Sequence, residues 1–208
     1  MNKIRMIALA ACMAATLDAA AQEQEIRLFS HRGGRMEHDE NTLSAFQASY
    51  DAGYRGFETD IRMTRDGALV ITHDSSLERT TDGTGTVEEK TEAEIRRLRT
   101  KQGNKVLFLD ELLEFLEGKE GLYVEFEMKT KPEALYPEER LHAYCDKLYD
   151  AVMAVKPADA TFVFTSGDYR GLRYLQAKHP GVDLLLITSK PCNDETIDLC
   201  KAMGIKRM

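Results

Sequence analysis

The sequence predicts an α/β protein of the (β/α)8 TIM-barrel class, and three observations predict it. Strand-like and helix-like stretches alternate from residue 26 onward, which implies a parallel sheet. The chemically active residues sit in or just after the first four strands: His31 after the first, Glu58 and Asp60 in the second, His73 and Asp74 after the third, and Glu125, Glu127 and Lys129 in the fourth. A barrel gathers such strand ends at one mouth. A doubly wound sheet would spread them along a line, and the glycine fingerprint of a dinucleotide-binding unit is missing.

Each element has its own signal. "IRLFS" is a short apolar strand, and "NTLSAFQASYDAG" a helix with Leu43, Phe46 and Tyr50 on one stripe and Gly53 as its stop. "GFETDIRMT" and "ALVITHD" are strands separated by a turn at Asp66-Gly67. The polar run "SSLERTTDGTGTVEEK" is a hairpin or loop, since no P-loop lysine follows its glycines. Thr91 and Glu94 have capping-box spacing before a short helix. "LDELLEFLEG" places Leu109, Leu112, Leu113 and Leu116 on one helical face, with Gly118 as its C-cap. Next come the strand "LYVEFEMK" and a long helix that starts at Pro137. "TFVFTS" and "VDLLLITS" are strands around the helix "DYRGLRYLQAKHP", and "DETIDLCKAMG" is the last helix before the strand-like stub "IKRM".

Composition narrows the function. A chain of 208 residues, 43% hydrophobic and 30% charged, suits one domain with a real core. A net charge of −7 and a pI near 5.3 argue against a nucleic-acid partner. No run reaches the roughly 18 apolar residues of a membrane span. Lys3 and Arg5 precede the small-apolar stretch Met6 to Leu17, and an Ala19-x-Ala21 site follows. Residues 1–21 therefore read as an export signal, and residues 22–208 as a periplasmic or extracellular domain. The rival is a lipoprotein box at "LAAC" with anchoring through Cys12, whose apolar region, Met6 to Ala11, is short. The exported chain would keep Cys145, Cys192 and Cys200, an odd number without metal spacing. Cys145 falls on an apolar helix side, and Cys192 and Cys200 are the pair a bridge would join.

Side chains two apart on a strand share a face. Glu58 and Asp60 do so, as do Glu125, Glu127 and Lys129. Carboxylates gathered at one mouth repel unless a cation sits among them, and a hard divalent ion such as Ca²⁺ or Mg²⁺ is the simplest remedy. The competing reading is plain ion pairing with Arg32, Arg62 or Lys129. Two histidines bracket the acids, and His can serve as general acid or base near neutral pH. His38, His142 and His179 lack such company and read as structural or surface residues.

The stretch from "HRGG" through "ENTLSAF", "ETD", "DG" and "HD" to "RTTDGTG" resembles the glycerophosphodiester phosphodiesterase family in motif order. "FLDELLEFL", "EFEMK" and "FTSGDYRGLRYLQAKHP" resemble its later parts, so the likeness runs from about residue 27 to 190. Asp39 departs from it, standing where the family usually has Pro. The resemblance implies a (β/α)8 barrel that cleaves glycerophosphodiesters to glycerol 3-phosphate and an alcohol. By motif, it makes His31 and His73 the acid–base pair, Glu58, Asp60 and Glu127 the metal ligands, and Arg32 and Lys129 the phosphate holders. Glu125 sits one step deeper than the family's E-x-K glutamate. The nucleophile would be water or the substrate's own glycerol hydroxyl, as in the related phosphoinositide phospholipases C.

Six strands plus a stub fall short of the eight of such a barrel, as 208 residues fall short of its typical roughly 250, and the chain contains no Trp. The expectation is thus a barrel truncated after about six strands. The alternative to an enzyme is a non-catalytic remnant that binds phosphodiesters or has no activity. The sequence says nothing about the alcohol preferred, the choice of metal or the oligomeric state.

Overall fold

A computed structural model of the protein describes residues 28–208. The expected export signal, residues 1–21, and Cys12 lie outside the described residues. Six strands form one sheet: β1 (Phe29–His31), β2 (Gly56–Met63), β3 (Leu69–Ile71), β4 (Tyr123–Met128), β5 (Thr161–Ser166) and β6 (Leu184–Leu186). The helices are α1 (Leu43–Asp51), α2 (Glu92–Ile95), α3 (Leu109–Leu116), α4 (Glu138–Ala154), α5 (Tyr169–Lys178) and α6 (Asp194–Ala202).

The strand order is β1-β2-β4-β5-β6, and every neighbour along it is parallel. β3 is the exception to the expected parallel sheet. It pairs with the far end of β2 in antiparallel register, Ile61 opposite Ile71 and Met63 opposite Leu69. Chain length explains this. A parallel return needs a crossover of about a dozen residues, and only Thr64 to Ala68 join these strands. That link closes as a tight turn: Thr64 accepts from Gly67 at 3.0 Å and from Ala68 at 2.8 Å, and Gly67 takes φ +90°. β2 and β3 therefore form a hairpin, and the parallel strands before the stub number five rather than six. The stub has begun to pair as well: Leu185 bridges to Arg207 in parallel, and Leu186 donates to the Arg207 carbonyl at 3.1 Å.

The main core lies between the parallel strands and the helices that cover them. Phe57, Ile61, Val124, Phe126, Phe162 and Phe164 face it from the sheet, and Leu112, Leu116, Tyr144, Leu148 and Leu172 from the helices. The four leucines expected to line α3 are all buried. In α1 the buried face is Ala45, Phe46 and Ser49, while Leu43 is exposed, against expectation. Thr42 is the N-cap, accepting from the Ala45 amide, so Leu43 is the first helical residue and overhangs the core. A smaller core of Val70, Leu77, Val87, Ile95, Val106 and Phe108 lies beneath the polar segment after β3. That segment is the expected hairpin-like loop, with Ser76 bridged to Thr86. The capping box at Thr91 and Glu94 is present. Cys145, Cys192 and Cys200 are all free thiols, so the Cys192–Cys200 bridge does not form. His142 stacks on Tyr174, and His179 on Tyr149. No helix among the described residues is long and apolar enough to cross a membrane.

Candidate active site

The acid cluster follows from the register of β2 and β4. Glu58 lies opposite Glu125, and Asp60 opposite Glu127. Period-two alternation sends Phe57, Thr59 and Ile61 to the other face of β2. Ligand oxygens of Glu58, Asp60 and Glu127 all lie within 4.8 Å of one another. Asp60 is fully buried, and Glu58 is nearly so. Burial, and then the charges of Asp60 and Glu127, push the Glu58 carboxyl up to about 9. Burial also raises Glu127, against a 2.8 Å bond from Lys129 Nζ. Glu125 is raised as well, chiefly by burial, but it stands outside the cluster.

Plain ion pairing satisfies only part of this charge. Arg32 Nε is 3.3 Å from Asp60 Oδ2, and Lys129 Nζ is 3.6 Å from Asp60 Oδ1. Asn41 Nδ2 donates to Asp60 Oδ2 at 2.9 Å. Glu58 Oε1 and Asp60 Oδ1 remain buried without a hydrogen-bond partner. Such orphaned oxygens are costly, and a hard cation with oxygen ligands fits them. Arg62, weighed above as a counter-charge for these acids, pairs with Glu88 instead, at 2.8 Å.

The histidines approach from opposite flanks. His31 ends β1 opposite Glu58, with its Nε2 3.5 Å from Glu58 Oε2. Burial, then Arg32 and Arg35, lower its affinity for a proton. The turn behind it is left-handed at Arg32 (φ 53°), Gly33 (φ 74°) and Gly34 (φ 96°). Arg32 is not a glycine and carries real strain there. Its amide donates to Glu58 at both the carbonyl and Oε2, each at 3.1 Å. A Cβ on Gly33 would come within 3.0 Å of Ala45 Cβ, so this turn needs glycine. His73 arrives by another route. Because β3 runs back along β2, the Thr72 amide meets the Asp60 carbonyl at 2.9 Å and His73 lands beside the acids. Its Nδ1 is 2.6 Å from Asp74 Oδ1.

His73, Glu127 and Lys129 line a cleft of about 440 Å³, together with Arg62, Ser75, Ser76, Lys131 and Ser166. His31 lines a separate cavity of about 380 Å³ with Phe29, Arg35 and Tyr54. Of the three clustered acids, Glu127 lines the His73 cleft and none lines the His31 cavity.

Sequence reasoning weighed Arg62 only as a counter-charge for the acids, and gave Glu40 and Arg79, which lie in the "ENTLSAF" and "RTTDGTG" motifs, no role in the site. Arg62 is buried and bonds the His73 carbonyl at 3.0 Å and the Lys129 carbonyl at 3.3 Å, tying both site-bearing segments together. Its position two residues after Asp60 was the available signal, because alternation puts it on the acids' face. Asp39, the departure from the family pattern, accepts from Asn104 Nδ2 at 2.9 Å and from Thr100, and so anchors the loop that carries Glu40 and Asn41.

The model of the glycerophosphoryl diester phosphodiesterase family matches residues 31–206. The chain belongs to that family. A glycerophosphodiester phosphodiesterase of Caldanaerobacter subterraneus is 36% identical over 123 residues, covering 55% of this chain and 50% of its own length. Human glycerophosphodiester phosphodiesterase 1 is 40% identical over 82 residues, covering 39% of this chain and 25% of that protein. This family member spans about half the length or less of the curated relatives just described. A glycerophosphoryl diester phosphodiesterase structure from Silicibacter pomeroyi superposes with a TM-score of 0.76 at 24% identity, covering 88% of this chain and 74% of that one. An Oleispira antarctica phosphodiesterase, solved with its product sn-glycerol-3-phosphate, gives 0.75 at 23% identity over 86% and 72%. These neighbours share the family's TIM-barrel fold, and this chain has its α/β strand–helix arrangement.

Proposed function

We propose that this family member hydrolyses glycerophosphodiesters to glycerol 3-phosphate and an alcohol, with a divalent ion, Ca²⁺ or Mg²⁺, held by Glu58, Asp60 and Glu127. The observation that carries the reading is the acid triad around the fully buried Asp60, with two partnerless buried oxygens, flanked by His31 and His73. A bound divalent ion supplies positive charge to the phosphoryl oxygens, where negative charge grows during displacement.

The chain's own groups do the rest. Arg32 and Lys129, already turned toward Asp60, grip the remaining phosphoryl oxygens and fix the diester in line. One histidine takes the proton of the attacking water or glycerol hydroxyl, and the other delivers a proton to the departing alkoxide; attack by the glycerol hydroxyl leaves a cyclic phosphate, which water then opens to glycerol 3-phosphate. The Asp74 contact at His73 Nδ1 leaves Nε2 for that transfer. Arg62 keeps His73 and Lys129 at a constant separation by holding both carbonyls. Export to the periplasm or the outside belongs to the same proposal and rests on residues 1–21 of the sequence.

The test is release of glycerol 3-phosphate from glycerophosphocholine by the 208-residue chain, with Ca²⁺ or Mg²⁺ and then with excess chelator. Turnover that the chelator abolishes is expected. Undiminished turnover in chelator overturns the metal assignment. Binding of glycerophosphocholine without product would establish the non-catalytic alternative.

A further inference from the structure

We propose that Arg79 is a positioning residue that couples His73 to Arg32 and sets the orientation of both. Its effect on turnover rests on the phosphodiesterase reading above; its effect on the His73 ring does not.

Arg79 follows β3 in the loop over the smaller core, close to the buried anchor Leu77. Its Nε donates to Asp74 Oδ2. Its Nη1 and Nη2 donate to Glu40 Oε2 and Oε1 at 3.0 and 2.7 Å. A planar guanidinium with five donors can hold two carboxylates at once, which an ammonium cannot do with the same geometry. Each carboxylate also reaches inward. Asp74 Oδ1 contacts His73 Nδ1 at 2.6 Å, and Glu40 Oε1 accepts from Arg32 Nη1 at 3.2 Å. Arg32 in turn lies 3.3 Å from Asp60. One continuous chain, His73–Asp74–Arg79–Glu40–Arg32, thus runs from the segment after β3 to the segment after β1.

Both carboxylates in the chain are ionised at neutral pH. Burial opposes ionisation of Asp74, but the bonds from Arg79 and His73 outweigh it and hold the carboxyl at about 2. The bond from Arg79 is the main cause that lowers Glu40. An ionised carboxylate only accepts, so His73 must carry its proton on Nδ1. Arg79 keeps Asp74 in the one rotamer that enforces this tautomer. Half-exposed at 47%, the Arg79 side chain can be replaced without opening the core.

The experiment uses the full chain carrying Arg79→Gln, Arg79→Lys, Asp74→Asn and the Arg79→Gln/Asp74→Asn pair. Long-range ¹H–¹⁵N spectra report the His73 tautomer, and glycerophosphocholine turnover reports kcat and KM. Arg79→Gln should release His73 into mixed tautomers and lower kcat/KM by about 10- to 100-fold, the usual cost of losing a partner that orients a ligating or catalytic group. Arg79→Lys, with one point donor for two acids, should recover only part of the loss. In the Asp74→Asn background Arg79→Gln should add little to the His73 change. A wild-type His73 spectrum in Arg79→Gln, or full additivity of the pair, overturns the proposal. Should Arg79→Gln fail to fold, a His73 spectrum and kcat/KM in Arg79→Lys equal to wild type overturn it equally. Absence of turnover in the wild-type chain would count against the phosphodiesterase reading alone, since the His73 spectra still decide the role of Arg79.

Discussion

Asp60 is where the site's contacts converge: Arg32, Asn41 and Lys129 all reach its carboxylate, and one oxygen is still buried without a hydrogen bond. The two histidines do not share its burial, so their removal should leave the fold intact. His31→Ala and His73→Ala are each expected to cut turnover by about 10²- to 10⁴-fold, as general acid–base groups do. The double variant should lose less than the product of the two, because a paired proton-transfer system acts as a unit. Steady-state kinetics on the three variants checks this, and near-wild-type turnover in either single variant would make that histidine structural. Glu127 and Glu125 give a second contrast. Both lie on the half-buried face of β4, but only Glu127 has an oxygen in the acid cluster. Glu127→Ala should abolish activity while Glu125→Ala only weakens it, and equal losses would contradict the assignment. Alternation made Glu58, Asp60, Glu125 and Glu127 legible as acids on shared strand faces, while the choice of Glu127 over Glu125 came from the family resemblance and the pairing of β2 with β4 from the structure. The bond from Arg62 to Glu88 was not legible, because Glu88 lies in the polar run "VEEK", which looks like solvated surface, although Glu88 itself is buried.

The turn after β1 and the β2–β3 hairpin decide where the histidines stand. Gly33 and Gly53 both adopt positive φ, at 74° and 95°, but only at Gly33 would a Cβ meet a neighbour, Ala45 Cβ at 3.0 Å. Gly53→Ala should therefore cost about 1–2 kcal/mol, the left-handed penalty alone, and leave activity unchanged. Gly33→Ala should cost more in urea unfolding and also displace His31 and Arg32, with loss of turnover. Equal effects from both would show that the α1 contact does not set the turn. At this scale the sequence identified nearly every element and its approximate limits, since Asp66-Gly67, the Thr91 capping box and the leucine face of α3 are strong local signals. It misled on the direction of β3 because strand signals carry no orientation. Only the five-residue link could have revealed the hairpin. The exposure of Leu43 was hidden for a related reason: the helical stripe was sound, but the N-cap at Thr42 set where the helix begins.

At the scale of the whole molecule, the acid cluster couples folding to pH and to metal. Glu58 is raised to about 9, and Glu127 and Glu125 are raised too, each chiefly by burial. For a carboxyl raised above its unfolded value of 4.5, the native state holds the proton over a window where the unfolded chain has released it. The stability this gives is present below that value and is lost as pH rises toward 9. The metal-free protein should accordingly melt at falling temperature from about pH 5 to about pH 9. A saturating divalent ion should flatten or reverse the trend, because binding requires the carboxylates deprotonated. Differential scanning fluorimetry in chelator and in excess Ca²⁺ tests it, and parallel curves would show that the cluster is not the titrating unit. The central claim is that Glu58, Asp60 and Glu127 together hold one divalent ion. Titration calorimetry of Ca²⁺ and Mg²⁺ into the wild-type chain and into Asp60→Asn tests that claim most directly. The account predicts one ion per chain in the wild type, with proton release, and its loss in Asp60→Asn. Unchanged binding in the variant, or none of either ion in the folded wild type, would contradict it.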